Sequence, residues 1–443
     1  MRKGISSPVG SFNGYGLVPG DKSVSHRALM LGALTIGRTS IRGLLESEDV
    51  ISTMNALRAL GAQIENVETG EWIVTGVGIG GLVEPNDILD MGNAGTGARL
   101  LMGILAGHNL TTFLTGDSSL RARPMARVTA PLVEMGAQFL FREGGLLPMA
   151  IVGAVDTMPI IYKLPMPSAQ VKSAILFAGL NAPGETIVIE EQATRDHTER
   201  MMSHFGASIN SEVLEDGFRR ITLTGQPELT ANDVAVPRDI SSAAFPIVGA
   251  LIVENSEVKL EGVGRNPHRD GLIVTLREMG AKIEETRSRK MVVEPVSDLV
   301  VVNSRLKGVT VPSERAPSMI DEYPILAIAA AYAEGDTRMC GLGELRVKES
   351  DRLLAIKNGL KSNGVDARIE GDDLIISGCP DSVPGGGKIQ SCQDHRIAMS
   401  FLTMGLGTKR PVVIDDVSPI NTSFPDFDYF MNKLGAAIEV DNR

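Results

Sequence analysis

The chain has 443 residues, of which 43% are hydrophobic and 22% charged, a composition typical of a globular protein with two or more domains. Its formal net charge of −11 argues against general nucleic-acid binding, although a local cluster of cations can still bind a small anion. The three cysteines favour a reducing compartment, the N-terminal segment has no apolar core of signal-peptide length, and the longest apolar runs are too short to span a bilayer. We therefore expect a cytoplasmic protein without nucleic-acid or membrane partners.

The first predicted helix begins within LVPGDKSVSHRAL, residues 17–29. A helix start leaves backbone N–H groups unpaired and favours anions, so Lys22, Ser23 and Arg27 form a candidate phosphate site. The alternative is an ordinary helix start capped by Asp21 or Ser23, with its charges in water. This segment alone leaves both interpretations open.

A second pattern recurs along the chain: an apolar helical stretch, then Gly-Ala or Gly-Val, then a strand-like run. In its first copy, EDVISTMNALRALGAQIE, Asp49 is placed to cap a helix and Gly61 to end it. The glycines of the six copies are Gly61, Gly136, Gly206, Gly280, Gly364 and Gly435. Because their successive spacings of 75, 70, 74, 84 and 71 residues are nearly regular, internal duplication explains them better than coincidence.

Repeats of this length exceed those of common solenoids, so each copy is predicted to be a small α/β module. Six modules suggest two halves of three, and the chain has candidate crossing points at Pro19-Gly20 and Val236-Pro237. We therefore predict an α/β (α+β) protein with one domain at 20–237, a second at 1–19 and 238–443, and a ligand cleft between them.

Four further segments of the first half place cations, amides or hydroxyls near predicted turns or helix starts. They are MGNAGTGARL (91–100), SSLRARPMARV (118–128), MPSAQVKSAIL (166–176) and ATRDHTERM (193–201). Small residues let backbone N–H groups approach an anion, and arginine offers a planar fork for carboxylate or phosphate. Tight turns, N-capping and solvated charged loops remain the alternatives.

The second half adds acidic residues. Asp321 and Glu322 precede the strongly apolar helix predicted in APSMIDEYPILAIAAAYA (316–333). A carboxylate at that border is partly desolvated and can act as a base, although capping the helix is the commoner role of such an acid.

Two more charged segments follow. Lys348 and Arg352 in LRVKESDRLLAI are four residues apart, which predicts a shared helical face with Glu349 beside it. CQDHRIAMS (392–400) places an acid, a histidine and an arginine at another helix start, namely Asp394, His395 and Arg396. An exposed ion-pair face is the alternative for the first segment.

Neither a metal nor a cofactor is indicated. The histidines, at positions 26, 108, 197, 204, 268 and 395, lack ligand spacing, so no metal site is expected. GVGIGG (76–81) fits the G-x-G-x-x-G pattern, but LVEPND follows it where a dinucleotide site needs a helix, which favours a turn.

Taken in order, the segments resemble the family of 5-enolpyruvylshikimate-3-phosphate synthases, also called 3-phosphoshikimate 1-carboxyvinyltransferases. The resemblance is carried by PGDKSVSHR, GNAGTGARL, RPMARV, PSAQVKSA, TRDHTE, SMIDEYPILA, LRVKESDR, DHRIAMSF and TSFPDF, collinear from about residue 15 to 430. SMIDEYP and LRVKESDR are similar to the bacterial class II branch. The resemblance implies a two-domain, inside-out α/β barrel-like fold of six βαβαββ repeats, three per domain, which agrees with the glycine pattern.

The resemblance also implies an activity: transfer of the enolpyruvyl group of phosphoenolpyruvate to the 5-hydroxyl of shikimate 3-phosphate, with release of phosphate. This reaction belongs to the shikimate pathway, which leads through chorismate to the aromatic amino acids. The implied ligands are the two substrates and the inhibitor glyphosate, and a monomer is expected.

Site roles are implied residue by residue. The residues matching shikimate 3-phosphate contacts are Lys22, Ser23, Arg27, Ser168, Ala169, Gln170 and Arg195. The residues matching phosphoenolpyruvate contacts are Lys22, Asn93, Gly95, Arg123, Lys348, Arg352 and Arg396. Asp321 matches a substrate contact that accepts the proton of the attacking hydroxyl, and Glu349 matches a residue implicated in proton traffic at the methylene carbon. Because the cations come from both halves, the empty cleft is expected to open through repulsion and to close on its ligands.

Two positions depart from common family patterns. Thr422 precedes SFP where many class I members carry a lysine before TFP, which leaves open the cation that completes the phosphate site, with Lys348 as the candidate. Gly95 stands where tolerant class II members often carry alanine, whose methyl group crowds glyphosate. We therefore expect more glyphosate sensitivity than the class II resemblance suggests.

Two alternative functions remain. The sister family transfers enolpyruvate to UDP-N-acetylglucosamine, but it typically has Lys-Asn in place of Lys22-Ser23 and a cysteine before the Arg-Pro pair. GDSSLRARP has none, and no cysteine precedes Cys340. The other alternative is a non-catalytic clamp that senses a phosphorylated metabolite, against which Asp321 and Glu349 argue.

Overall fold

A computed structural model describes residues 2–441 and divides the chain into two compact units. The first, the N-unit, comprises Gly20–Val236 and Met291–Glu294. The second, the C-unit, comprises the chain up to Pro19, Pro237–Lys290 and the chain from Pro295 onward. The four residues 291–294 therefore belong to the N-unit although the chain on either side of them runs in the C-unit.

Fourteen α-helices lie within residues 2–441. They are α1 (Lys22–Ala33), α2 (Glu48–Ala59), α3 (Gly95–Ala106), α4 (Ser118–Arg121), α5 (Ala126–Glu134), α6 (Ala169–Gly179), α7 (His197–His204), α8 (Ile240–Ile252), α9 (Gly271–Glu278), α10 (Ala316–Met319), α11 (Tyr323–Ala331), α12 (Arg352–Ser362), α13 (His395–Gly405) and α14 (Phe427–Lys433). Short 3-10 helices lie at Pro267–Arg269, Ser313–Arg315, Gly343–Val347 and Ser418–Thr422.

The same residues contain 24 strands. They are β1 (Gly4–Ser7), β2 (Gly14–Gly16), β3 (Ile36–Arg42), β4 (Gln63–Glu68), β5 (Glu71–Val77), β6 (Leu89–Asp90), β7 (Thr111–Thr115), β8 (Gln138–Arg142), β9 (Leu146–Val152), β10 (Ile161–Lys163), β11 (Glu185–Glu190), β12 (Ile209–Val213), β13 (Arg219–Thr224), β14 (Val234–Ala235), β15 (Glu257–Gly264), β16 (Lys282–Met291), β17 (Glu294–Val302), β18 (Thr310–Val311), β19 (Asp336–Met339), β20 (Asp366–Glu370), β21 (Asp373–Ser377), β22 (Lys388–Ile389), β23 (Val412–Ile414) and β24 (Ala437–Val440).

The strands form six four-stranded sheets within the described residues. In the N-unit their orders are β14-β3-β5-β4, β6-β7-β9-β8 and β10-β11-β13-β12. In the C-unit they are β16-β17-β15-β2, β18-β19-β21-β20 and β22-β23-β1-β24. Each sheet has one parallel pair at an edge, for example β6 with β7 and β18 with β19. The N-terminal strands β1 and β2 complete two sheets of the C-unit.

Each repeat pairs one largely buried helix with one amphipathic helix. The buried helices are α1, α3, α6, α8, α11 and α13. The amphipathic helices α2, α5, α7, α9, α12 and α14 are each followed by one of the six predicted glycines, whose φ angles lie between 79° and 106°. Side chains with a Cβ rarely adopt this conformation, so glycine lets the chain leave the helix for the next strand. The predicted sixfold repeat is confirmed.

Each unit has its own hydrophobic core. α1, α3 and α6 supply the centre of the N-unit core, and α8, α11 and α13 that of the C-unit. In the N-unit, α3 and α6 touch where Gly103 faces Ala174, and a Cβ on Gly103 would collide with the α6 backbone. Between residues 2 and 441, no helix is long and apolar enough to cross a bilayer. The first turns of four buried helices, α1, α3, α6 and α13, carry predicted site residues, namely Lys22, Ser23, Gly95, Ala169, Gln170 and Arg396.

Candidate functional site

Lys22 begins α1 in the N-unit. Asp21 caps this helix, because its carboxylate accepts the Val24 N–H at 2.9 Å. The Lys22 side chain is 18% exposed and forms an ion pair with buried Asp49. The prediction that Asp49 caps α2 is wrong, since Ser47 occupies the N-cap position and Asp49 lies in the first turn. Asp49 instead fixes the Lys22 ammonium group.

Arg27 lies one turn further along α1 and is 3% exposed. Its guanidinium donates to the Ser23 carbonyl at 2.9 Å, the Ser173 hydroxyl at 2.9 Å and the Thr198 hydroxyl at 2.7 Å. Burial, with a smaller contribution from the positive charge of Arg195, lowers the pKa of Arg27 to about 10, although nearby carboxylates oppose the change. A buried guanidinium whose hydrogen-bond acceptors are all neutral is suited to binding an additional anion.

The start of α6 lies against this arginine. Ser168 caps α6, because its hydroxyl accepts the Val171 N–H at 3.3 Å. The Ala169 carbonyl accepts the Ser173 hydroxyl at 2.6 Å, which joins the start of α6 to the hydrogen bonds around Arg27. The structure thus brings together the predicted residues of α1 and α6.

Gln170 connects the start of α6 with the start of α3. Its side-chain oxygen accepts a hydrogen bond from Arg99 at 3.2 Å, and its amide donates to the Thr96 hydroxyl at 2.9 Å. Arg99 also reaches the Gly95 carbonyl at 3.4 Å. The amide therefore fixes the relative position of two helix starts.

Asn93, Gly95 and Arg123 lie together at the start of α3. Arg123 is 6% exposed and donates to the Asn93 side-chain oxygen at 2.6 Å and to the Ser119 hydroxyl at 3.0 Å. The Asn93 amide in turn donates to Asp117 at 2.7 Å. A Cβ on Gly95 would lie 2.7 Å from a terminal nitrogen of Arg123, so glycine permits the guanidinium to approach the helix start.

Behind Arg27 lies a buried charge cluster that the sequence motifs did not predict. The Lys172 ammonium group on α6 lies 2.7 Å from Glu199 on α7 and 3.1 Å from Glu190 on β11, and Lys172 is fully buried. Burial lowers the pKa of Lys172, but the two carboxylates outweigh burial and raise it. The sequence signal was a lysine inside the apolar segment 166–176. The cluster ties together the two helices that hold Arg27.

The predicted residues of the C-unit meet around Arg352, which is 1% exposed. Its guanidinium lies 2.8 Å from Asp394, 2.5 Å from Glu349 and 3.3 Å from Asp321. Burial lowers the pKa of Arg352, but the three carboxylates outweigh burial and raise it above the ordinary value. Arg352 is thus neutralised by acids, in contrast to Arg27.

Lys348 does not share a helical face with Arg352, so that prediction is wrong. The segment Gly343–Val347 forms a 3-10 helix, Lys348 has an extended backbone, and α12 begins only at Arg352 with Asp351 as its cap. The ammonium group of Lys348 nevertheless lies 3.9 Å from Asp321. Lys348 therefore joins the cluster from a loop.

Arg396 lies in the first turn of α13, which Asp394 caps by accepting the Arg396 N–H at 2.9 Å. Its guanidinium donates to the backbone carbonyl of Asp321 at 3.1 Å and lies 3.8 Å from the Glu322 carboxylate. Asp321 consequently lies beside three of the predicted cations. At the departure from the class I pattern, the Thr422 hydroxyl donates to the Pro419 carbonyl at 2.8 Å and supplies no charge.

Each unit therefore assembles its own predicted residues. The N-unit set combines cations with amides, hydroxyls and helix starts, which suits the binding of phosphate and carboxylate groups. The C-unit set places carboxylates among cations, which suits proton transfer next to an anion. Within the described part of the chain, no three His, Cys, Asp or Glu residues are grouped to hold a metal ion.

Comparisons with known proteins agree on one family. The model of the family described as EPSP synthase (3-phosphoshikimate 1-carboxyvinyltransferase) matches residues 8–434. A protein of Paramagnetospirillum magneticum with that enzyme name is 59% identical over 443 residues, covering 100% of this chain and 99% of its own. A second, of Rhodospirillum rubrum, is 60% identical over 427 residues, covering 96% of this chain and 95% of its own.

Solved structures agree as well. A structure described as EPSP synthase from Acinetobacter baumannii is 45% identical, covers all of both chains and superimposes with a TM-score of 0.87. A second structure of EPSP synthase from the same organism is 44% identical, covers 99% of both chains and has a TM-score of 0.86.

Proposed function

Because the chain belongs to the EPSP synthase family, we propose that the two side-chain clusters are its substrate-binding and catalytic groups. The enzyme is a 3-phosphoshikimate 1-carboxyvinyltransferase, which transfers the enolpyruvyl group of phosphoenolpyruvate to the 5-hydroxyl of shikimate 3-phosphate and releases phosphate. The reaction is part of aromatic amino acid biosynthesis. The observation that carries this function is the identity of 59% with a relative of the same name over the whole chain.

Shikimate 3-phosphate is proposed to bind to the starts of α1 and α6 and to the loop before α7. The proposed contacts are Lys22, Ser23, Arg27, Ser168, Ala169, Gln170 and Arg195. The neutral hydrogen-bond acceptors of Arg27 support this role, because its buried positive charge is stabilised by an added phosphate. Arg195 adds a second positive charge nearby.

Phosphoenolpyruvate is proposed to bind to a second set of groups. They are Lys22, Asn93, Gly95, Arg123, Lys348, Arg352 and Arg396. Arg123 supports this role, because its planar fork is anchored by Asn93 and Ser119 and is therefore oriented before a carboxylate or phosphate arrives. Lys348 is the proposed substitute for the class I lysine missing at Thr422.

The proposed chemistry assigns Asp321 as the base that takes the proton of the attacking hydroxyl. The hydroxyl oxygen bonds to C2 of phosphoenolpyruvate while C3 receives a proton, and Glu349 is proposed to exchange protons at C3. Phosphate then leaves with the electron pair of its bond to C2, and loss of a proton from C3 restores the double bond. Lys22 and the arginines stabilise the charge that develops on the transferred atoms.

Several further properties are proposed. Glyphosate is proposed to inhibit the enzyme at the phosphoenolpyruvate site, and the protein is proposed to be a cytoplasmic monomer. The two domains are proposed at 20–237 and at 1–19 with 238–443. The compact units support these boundaries, with residues 291–294 as the exception, since they belong to the N-unit.

The test is an assay of phosphate release with both substrates, with Asp321→Asn as the inactive control. Phosphate is expected with shikimate 3-phosphate and phosphoenolpyruvate together, and none with either alone. Release with UDP-N-acetylglucosamine instead would assign the sister activity. Tight binding of shikimate 3-phosphate without any phosphate release would favour the non-catalytic clamp.

A further inference from the structure

A row of buried polar side chains joins the starts of three C-unit helices, α8, α11 and α13. Arg269 lies 3.4 Å from Asp239, the cap of α8, and also donates to the Ser241 hydroxyl. Ser241 donates in turn to the carboxylate of Glu322, at the N-terminus of α11. Glu322 lies 3.8 Å from the guanidinium of Arg396 on α13. The row therefore ends at a residue of the proposed phosphoenolpyruvate site.

Helix capping does not explain the Glu322 carboxylate. Glu322 occupies the N-cap position of α11, yet its side chain makes no capping hydrogen bond and is 1% exposed. Its carboxylate lies instead between two guanidinium groups, 3.8 Å from Arg269 and 3.8 Å from Arg396. Holding two like charges in so little water is costly without counter-ions, and Glu322 is the carboxylate that the two arginines share, while Arg269 also lies beside Asp239.

We propose that Glu322 is a positioning residue, which Ser241 and Arg269 fix from behind and which holds the Arg396 guanidinium against the Asp321 carbonyl in the orientation that binds phosphoenolpyruvate. The 3.1 Å hydrogen bond from Arg396 to Asp321 defines that orientation. This inference rests on the proposed roles of Arg396 and Asp321. Glu322 acts through Arg396 and needs no contact with substrate.

Glu322→Gln distinguishes a positioning role from a purely electrostatic role, because the two roles predict opposite changes in the affinity for phosphoenolpyruvate. Removing a negative charge beside Arg396 makes the site more positive, which by itself strengthens binding of an anion. Losing the group that orients Arg396 weakens binding of the same anion. A rise in KM for phosphoenolpyruvate therefore indicates that orientation dominates.

Ser241→Ala is the second variant. It leaves every charge in place and removes the hydroxyl that donates to Glu322 and accepts from Arg269, so both contacts that fix Glu322 from behind are weakened. The matched control is Glu314→Gln, an equal change of charge at an exposed position in the 3-10 helix Ser313–Arg315. Thermal unfolding of each variant shows whether the fold is retained.

We expect Glu322→Gln to raise KM for phosphoenolpyruvate about tenfold, since small misplacements of a binding group are costly. Ser241→Ala should raise KM for phosphoenolpyruvate by a smaller factor. In both variants KM for shikimate 3-phosphate should stay close to the wild-type value, and in Glu314→Gln both KM values should do so. An unchanged or lowered KM for phosphoenolpyruvate in folded Glu322→Gln overturns the inference. If Glu322→Gln does not fold, an unchanged value in Ser241→Ala overturns it.

Arg396→Lys, measured in the same assay, distinguishes this inference from the proposed function. If Arg396→Lys raises KM for phosphoenolpyruvate and Glu322→Gln does not, the positioning role of Glu322 is wrong and the role of Arg396 stands. If Arg396→Lys leaves that KM unchanged, the proposed contact of Arg396 with phosphoenolpyruvate is itself wrong.

Discussion

Two buried arginines show how partners decide the role of a residue. Arg352 is ion-paired with three carboxylates, so in addition to its proposed contact with phosphoenolpyruvate it holds these acids together. Arg27 donates to two hydroxyls and a carbonyl, so its charge is not balanced by a hydrogen-bonded acid. Burial of a charge without such a partner is unfavourable, and the proposed binding of shikimate 3-phosphate would supply the missing negative charge.

Arg27→Lys is expected to raise the dissociation constant of shikimate 3-phosphate about 10- to 100-fold, because hydrogen bonds to charged groups contribute about 1.5–3 kcal/mol each. Lysine keeps the charge but lacks the fork that contacts three oxygens. Isothermal titration with shikimate 3-phosphate alone measures the change. Arg38→Lys, on the exposed part of β3, is the control. Equal affinities of the Arg27→Lys and wild-type enzymes would contradict the proposed contact.

Gly95→Ala is expected to reduce inhibition by glyphosate. The new methyl group would lie 2.7 Å from Arg123 and 3.1 Å from Arg99, so a guanidinium must move. The inhibition constant for glyphosate should rise about tenfold or more, and KM for phosphoenolpyruvate by less.

Inhibition curves at fixed phosphoenolpyruvate measure the Gly95→Ala effect. Gly10→Ala is the control, since a Cβ there meets no atom within 4 Å. Unchanged inhibition would show that this position does not limit the space available to glyphosate.

At the scale of elements, the starts of the buried helices differ in the charge of their N-cap residues. In the C-unit, α8, α11 and α13 have carboxylic residues at the N-cap, namely Asp239, Glu322 and Asp394. In the N-unit, α3 and α6 have the neutral N-caps Ala94 and Ser168, whereas α1 has the acidic N-cap Asp21. Because no acidic residue caps them, the starts of α3 and α6 are better suited to binding anions through their backbone N–H groups, and α1 is proposed to bind them through the side chains of Lys22 and Arg27.

Lys172→Met is expected to lower the free energy of unfolding by about 3–5 kcal/mol, because it leaves two buried carboxylates without their cation. Urea denaturation measures the loss, with exposed Lys282→Met as the control. The raised pKa of Lys172 means that its contribution is complete at neutral pH and is lost only as pH rises above the ordinary lysine value. A loss no larger than that of Lys282→Met would show that the cluster is not stabilising.

The repeats were predictable because one local requirement, a positive φ after a helix, recurs at six glycines. The candidate site residues could be proposed from the sequence because short contiguous motifs resemble those of a known family, and their roles stay predictions. Two predictions from local spacing were wrong. Lys348 does not lie on α12, because a 3-10 helix precedes it, and Asp49 pairs with Lys22 instead of capping α2. The partners of Lys172 were not predictable, because ion pairs between distant segments leave no periodic signal.

At the scale of the whole molecule, the net charge of the protein has the same sign as the charge of its substrates. The formal net charge of −11 repels the anionic substrates, whereas the local cations attract them. Whether the repulsion or the attraction dominates depends on distance, because dissolved ions screen the long-range repulsion more strongly than they screen the short contacts inside a cluster of cations.

Raising the salt concentration from about 0.1 M to 1 M shortens the Debye length from about 10 Å to about 3 Å. If the local cations dominate, KM for both substrates rises, and this is the expected result. A fall in KM would indicate that net repulsion limits binding. The salt dependence of shikimate 3-phosphate binding should be weaker in Arg27→Met, where one cation is absent.

The position of β1 has a consequence for biosynthesis. This strand, Gly4–Ser7, is synthesised before the rest of the C-unit, yet it lies between β23 and β24, which follow about 400 residues later. At about 5–20 residues per second, the nascent strand waits roughly 20 s or longer for its neighbours. During translation β1 therefore remains without its sheet partners until the last part of the C-unit has been made, and deleting Gly4–Ser7 removes an inner strand of that sheet.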